Sequence, residues 1–415
     1  MGGLRKAAVI GAGISGMVTA HSLKDRYQVT LYEKEDRPGG LIRCREVQSS
    51  LFHTCGGHVF NSRRQDVMDW FWRIFDRDRS FVRAARNASI MMPDGTTVGY
   101  PVEDHLYQLP EAVQRASIRD FAAMMQREGR IPAAHFAGFL EQTFGKTLYE
   151  LYFRPYNEKI WRCPLTEVPL DWLAGKLPMP SPEEVFLHNF THQEEKTFVH
   201  ASFWYPRQGG SQFLADTLAE GLDIRYGADI EKVMYHEGKW RIGNEVYEIV
   251  VYTGNVREIP ALLDGVSVEG LDQELRALPY HGTTSVFCEI DPVPYTWIYL
   301  PDGAYDAHRI ICTGNLSKLN NRPGVLTATV EFTDHLPLAD ILDQLKRIPL
   351  NPRYLDHCFT ACSYPVQTAA TRDLVREVKN RLHPRGFHLT GRFAEWEYYN
   401  MDVAAGAAMD LASRL

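Results

Sequence analysis

Residues Val9 to Gly16 read Val-Ile-Gly-Ala-Gly-Ile-Ser-Gly, three glycines at G-x-G-x-x-G spacing. A strand-like Ala7–Ile10 precedes them, a helical Met17–Lys24 follows, and a second strand is expected over Gln28–Tyr32. That order limits the N-terminal part of the chain to a βαβ unit of an α/β fold that binds a dinucleotide. Gly11 permits the tight turn, Gly13 lets a pyrophosphate approach the backbone, and Gly16 lets helix and strand pack closely. Ile14 and Ser15 open the helix, whose oriented N–H groups face the phosphates. Glu33 ends the second strand, at the distance where a carboxylate holds ribose hydroxyls, with Lys34 beside it.

The rest of the chain is read around that unit. Its 415 residues suggest two or three domains. A formal charge of -7 argues against a nucleic-acid footprint, and no apolar run approaches the roughly 20 residues of a membrane helix. The seven cysteines include no C-x-x-C pair, so neither a metal site nor a disulfide framework is expected, and a reducing cytoplasm is the expected compartment. Helices are expected at Gln65–Phe75, Ser117–Gln126, from Phe136 past Phe153, Gln212–Ala219, Leu338–Arg347, Arg372–Leu382 and Val403–Leu415. Short strands over 224–252 follow, then Thr283–Ile290, Thr296–Leu300, Arg309–Thr313 and Leu326–Glu331 as an antiparallel sheet, and a final strand at Gly386–Thr390. Nucleotide-domain elements occur at both ends and near the middle. The expected architecture is therefore α/β: a discontinuous Rossmann-like FAD-binding domain (1–100, 200–265, 385–415), interleaved with a helical substrate domain (101–199) and an antiparallel-sheet substrate domain (266–384).

FAD is favoured over a nicotinamide nucleotide by further features. Arg37-Pro38-Gly39-Gly40, with Leu41 after it, follows Glu33 closely, and a Gly-Gly doublet there marks FAD oxidases and their relatives. Tyr205-Pro206-Arg207-Gln208-Gly209-Gly210 and the late segment from Gly391-Arg392 to Asn400-Met401 fit the same plan. The last helix then points its positive N-terminal end at the cofactor. Tyr156 and Trp161 either pack an aromatic helix face into the core or stack on a flat base, to whose amide-like edge Asn157 offers both a donor and an acceptor.

In these segments the chain resembles the UDP-galactopyranose mutase family, and its eukaryotic-type branch more closely than the bacterial one. The resemblance is carried by Gly56-Gly57-His58-Val59, by Tyr100-Pro101-Val102-Glu103, by Phe153-Arg154-Pro155-Tyr156-Asn157-Glu158-Lys159-Ile160-Trp161, and by Gly391-Arg392-Phe393-Ala394-Glu395-Trp396-Glu397-Tyr398. It implies an isomerase, a flavoprotein interconverting pyranose and furanose forms of a nucleotide-diphosphate sugar, most simply a UDP-sugar. Reduced FAD would act through N5 on the anomeric carbon, with NADH or NADPH as external reductant. It implies Gly56, Gly57 and His58 against the flavin, Gly391, Arg392, Asn400 and Met401 near it, and Tyr100, Glu103, Tyr156, Asn157 and Trp161 around the nucleotide. Lys176, Arg309, Tyr364 and Tyr398 would hold the diphosphate while it is detached; with His58 they are the candidate catalytic set. The chain departs from the family at Lys176, where an arginine is usual, at Glu103, in place of a glutamine, and at Leu316, in place of a tyrosine. Lysine keeps the charge but loses the bidentate fork. The other reading of the motifs is an FAD oxidoreductase of the amine-oxidase or protoporphyrinogen-oxidase type. A homo-oligomer is compatible with either.

Overall fold

A computed structural model describes residues 4–126, 132–170, 173, 180–192 and 202–415. The first strand, Arg5–Ile10, lies at the centre of a five-stranded parallel sheet in the order 387–389, 249–252, 5–10, 27–32, 224–225. Its register sets Ala7 opposite Ile249 on one side and Val29 on the other. Ala7, Ala8 and Val9 are fully buried, as a strand covered on both faces requires. The helix Ile14–Leu23 packs on this sheet beside the C-terminal helix Met401–Ala412, so the two ends of the chain meet at one layer.

The second large sheet has seven strands, ordered 353–365, 280–290, 326–333, 309–311, 297–299, 88–91, 97–99. Its long central pairing runs antiparallel from Thr283 opposite Thr333 to Ile290 opposite Leu326. Arg309 stands between Glu331 on one neighbouring strand and Tyr299 on the other. A four-stranded sheet from residues 233–264 and two antiparallel pairs, 44–47 with 50–53 and 81–85 with 202–206, complete the strands described. The strands at 88–91 and 97–99 extend the seven-stranded sheet.

Three differences from the sequence reading have physical causes. The strand expected over Arg309–Thr313 stops at Ile311, and Thr313–Leu316 turns into a short helix. The helix expected from Phe136 past Phe153 is interrupted: Gly145 leaves helical geometry at φ 81°, and Tyr149–Phe153 form a π-helical turn before Arg154–Trp161 resumes the α-helix. Pro155 offers no N–H and crowds the preceding turn, which a regular helix does not accommodate; the wider turn does. The 13-residue strand Arg353–Pro365 has no periodic apolar face, because within it only Ser363 and Pro365 are buried. A helix at Pro182–Thr191 was also missed, although its Ser181/Glu184 capping box is visible in the sequence.

Candidate active site

One cavity of about 1550 Å³ runs from the glycine loop to the face of the seven-stranded sheet. Single small-ligand sites are usually about 300–1,000 Å³. The cavity therefore has room for a dinucleotide and a second ligand together.

At its first end the glycines do three different jobs. Gly11 sits at φ 103°, and a Cβ there would lie 2.5 Å from Thr253 Oγ1. A Cβ on Gly16 would fall onto the Gly11 carbonyl oxygen, so this glycine closes the helix against the strand. Gly13 has nothing within 4 Å of its would-be Cβ; its empty side faces space a ligand can occupy. Gly39 donates its N–H to Ala12 O (2.8 Å), and a Cβ on Gly40 would come within 3.4 Å of Gly13 Cα. The two glycine turns thus lie across each other. Glu33 is buried behind them: its Oε2 accepts from Ala12 N (2.7 Å) and its Oε1 from Glu35 N (3.0 Å). Ile14, Ser15, Lys34 and Leu41 line the same end, while Gly16 lies beneath the wall.

The middle is formed by residues 55–58 and the C-terminal segment. His58 Nε2 donates to Cys55 O (2.7 Å), and burial lowers its imidazole to about 4, so it is neutral at pH 7. Its backbone N–H donates to Nδ1 of His53, whose Nε2 meets the Tyr205 hydroxyl (2.8 Å). Gly57 has no room for a side chain, with Ile311 and Trp297 atoms 3.0 Å from a would-be Cβ. Gly391, at φ 97°, packs on Ser15 in the same way. Asn400 precedes the C-terminal helix, and it and Met401 reach the cavity.

The far end is cationic and aromatic. Arg309 donates through Nε to Glu331 and through a terminal nitrogen to the Tyr364 hydroxyl (2.9 Å). The Tyr364 and Tyr398 rings stack at 5.5 Å, and the Arg392 guanidinium lies 4.3 Å from the Tyr398 centroid and 5.3 Å from that of Tyr364. Arg392 also donates to Ser363 O (2.6 Å). Burial raises the Tyr364 phenol, which stays protonated. Opposite stands the helix Arg154–Trp161. Tyr156 stacks on Tyr152 and meets Tyr299 edge-on. Asn157 donates Nδ2 to Phe153 O (2.7 Å), which leaves its carbonyl oxygen for another donor. Tyr100 and Trp161 line the same chamber.

The structure therefore gathers Tyr100, Tyr156, Asn157, Trp161, Arg309, Tyr364, Tyr398 and Arg392 around one space. Glu103 is not on that wall; it is buried behind it, where its backbone carbonyl accepts from Asn189. Leu316 is likewise in the core. Lys176 lies outside the described residues. Two further residues were not anticipated. Glu331 is fully buried, and besides Arg309 it accepts from Gly56 N (2.6 Å), joining the cation to the 55–58 turn. Lys159 donates to three carbonyls, of Leu300 (2.7 Å), Asp302 (2.5 Å) and Ala307 (3.0 Å), and so fastens the aromatic helix to the loop that leads into Arg309. A lone acid inside Leu-Thr-Ala-Thr-Val-Glu-Phe-Thr, and the lysine of the aromatic motif, were the available signals.

Fold and cavity define a dinucleotide-binding class of protein with a second chamber facing a mixed sheet. Comparison with known proteins agrees. The family described as NAD(P)-binding Rossmann-like domain matches residues 9–77. A probable UDP-galactopyranose mutase of Klebsiella pneumoniae is 26% identical over 187 residues, 41% of this chain and 44% of that protein. The chain thus matches less than half the length of that relative. A UDP-galactopyranose mutase of Mycoplasma genitalium is 24% identical over 98% of this chain and 94% of its own. Among solved structures, a reduced UDP-galactopyranose mutase shares the fold with a TM-score of 0.87 at 20% identity, over 99% of this chain and 95% of that one. A putative protoporphyrinogen oxidase from Exiguobacterium follows with a TM-score of 0.76 at 16% identity, over 99% of both chains. In sequence and in fold the chain is similar to these UDP-galactopyranose mutases. Both sequence relatives are bacterial; nothing in them ties the chain to the eukaryotic-type branch. Among the described residues no helix is long and apolar enough to cross a membrane.

Proposed function

We propose that this protein is an isomerase that interconverts pyranose and furanose forms of a nucleotide-diphosphate sugar, most simply a UDP-sugar, with FAD as cofactor. The observation that carries the reading is a single one. The Arg309–Tyr364–Tyr398–Arg392 cluster shares one cavity with both the dinucleotide turn and the aromatic helix.

The residues present fit FAD. Gly13 and Gly40 leave the backbone bare where a pyrophosphate would lie, Glu33 borders the same space, and Arg392 Nε is buried without a partner among the described residues. When bound and reduced, by NADH or NADPH, FAD supplies through N5 a nucleophile for the anomeric carbon. The protein's own contribution is to bind, orient and retain. Tyr156 and Trp161 offer faces to a base, and the Asn157 carbonyl oxygen offers an acceptor to its edge. Arg309, with the Tyr364 hydroxyl held against it, meets the diphosphate. Tyr398 closes over Arg392 on the same side, and Lys176 belongs to this set by motif. Such a clamp keeps the detached diphosphate in place until the sugar recloses through another hydroxyl; escape to water would end the cycle. His58, neutral at pH 7 and turned toward Cys55, orients the turn beside the flavin and is not the proton relay. On this reading residues 1–100, 200–265 and 385–415 serve the cofactor, and 101–199 and 266–384 the substrate.

The fold likeness to a putative protoporphyrinogen oxidase and to putrescine oxidase favours an oxidoreductase. That reading leaves the arginine–tyrosine cluster unused. The test is to reduce the FAD-loaded protein with dithionite, add UDP-galactofuranose and other nucleotide furanoses, and separate products by chromatography. A pyranose product supports the proposal; no ring interconversion with any nucleotide sugar ends it.

A further inference from the structure

Arg86 is a guanidinium without a counter-ion among the described residues. It lies deep in the fold yet lines the cavity, with its charge centre 5.1 Å from the Trp297 ring, 5.7 Å from Tyr100 and 6.0 Å from Tyr299. One terminal nitrogen donates to the Tyr299 hydroxyl, and Nε is buried with no hydrogen-bond partner. Among the described residues no carboxylate pairs with it. Arg309, by contrast, has Glu331. Tyr299 is the register partner of Arg309 on the adjacent strand, so the two guanidinium groups flank one stretch of sheet, and Arg309's charge acts against that of Arg86.

Ring faces offset only part of the cost of burying an ion, and a neighbouring cation adds to it. Arginine stays charged at any ordinary pH, so the site has no relief by deprotonation. What completes it is an anion, and the open side of both groups is the cavity. We infer that Arg86 is a second guanidinium of the substrate pocket and takes, together with Arg309, the diphosphate of the nucleotide sugar. This rests on the nucleotide-sugar reading above. It also supplies a planar fork in a chain whose motif carries lysine at 176.

The test is titration of UDP and of uridine into FAD-loaded wild type, Arg86→Ala, Arg86→Lys and, for comparison, Arg309→Ala, with FAD content as the check on folding. A charge-assisted hydrogen bond lost from a buried site corresponds to roughly 10- to 150-fold in affinity. Arg86→Ala is expected to lose UDP affinity by that range, to bind uridine within about threefold of wild type, and to show a shallower salt dependence for UDP. Arg86→Lys, which keeps the charge and is the milder change, recovers part of the loss. UDP affinity within about twofold of wild type in Arg86→Ala overturns the inference, as does an equal loss for uridine, which marks a packing role. Wild type that fails to bind UDP at all overturns the nucleotide-sugar reading itself.

Discussion

Replacing Glu331 by glutamine removes a single charge from the centre of the site. The side chain is fully buried, while that of Arg309 is 18% exposed. Glutamine keeps the volume, and its carbonyl oxygen can still accept the Gly56 N–H now 2.6 Å from Oε1. What disappears is the negative charge facing Arg309. Breaking a buried ion pair from one side costs about 3–5 kcal/mol. Arg309 retains the Tyr364 hydroxyl and an open side on the cavity, which sets the expected loss near the lower end, about 3 kcal/mol. That is roughly a hundredfold in the folding equilibrium. The assay is urea unfolding of nucleotide-free protein, followed by circular dichroism and by flavin fluorescence. Because the deficit is an uncompensated cation, a bound diphosphate offsets it: UDP should raise the midpoint of Glu331→Gln more than that of wild type. An unchanged midpoint, or equal shifts with UDP, refutes the view that Glu331 balances Arg309.

Two further outcomes follow from the same geometry. Gly13→Val adds a side chain only to ligand space, so the protein should fold with near-normal circular dichroism and fail to retain FAD, whereas Gly16→Val drives a side chain into the Gly11 carbonyl and should lose soluble, folded protein; a Gly13→Val variant that keeps full FAD content contradicts the cofactor placement. Burial lowers the His53 and His58 imidazoles to about 3 and about 4, while in the unfolded chain both titrate near 6.5. The unfolded state therefore binds more protons between about pH 6.5 and about 3, and the stability these groups contribute is whole above 6.5 and lost as pH falls through that window. His53→Gln should lower stability at pH 7.5 yet flatten its fall below pH 6.5, measured by urea midpoints across pH; curves parallel to wild type contradict the argument.

How far the sequence could be read depended on how local each constraint was. The glycine turn was legible because Gly11, Gly13 and Gly16 fall together where one strand gives way to one helix, and Glu33 is fixed by the same strand–helix–strand unit. The cavity wall at Tyr156, Asn157 and Trp161 was legible through a compact motif. Glu331 and Arg86 were not, because their meaning lies in cross-strand register: Arg309 is between Glu331 and Tyr299, and Arg86 reaches Tyr299 from a segment 213 residues earlier. The strand at 353–365 was hidden for a related reason. It forms the edge of a sheet and lines the cavity, so it shows no run of core-facing residues, although it carries Tyr364. Glu103 entered through the resemblance of a short motif, which does not show that the side chain is buried off the cavity wall.

The central claim is that the flavin serves ring interconversion and not net oxidation. The most direct measurement compares one preparation, oxidised and dithionite-reduced, with UDP-galactopyranose and UDP-galactofuranose, recording product ratio and dissolved oxygen together. The account predicts approach to a pyranose–furanose equilibrium only in the reduced protein, with no oxygen consumed in proportion to product. Turnover by the oxidised protein that consumes oxygen for each product formed would contradict it.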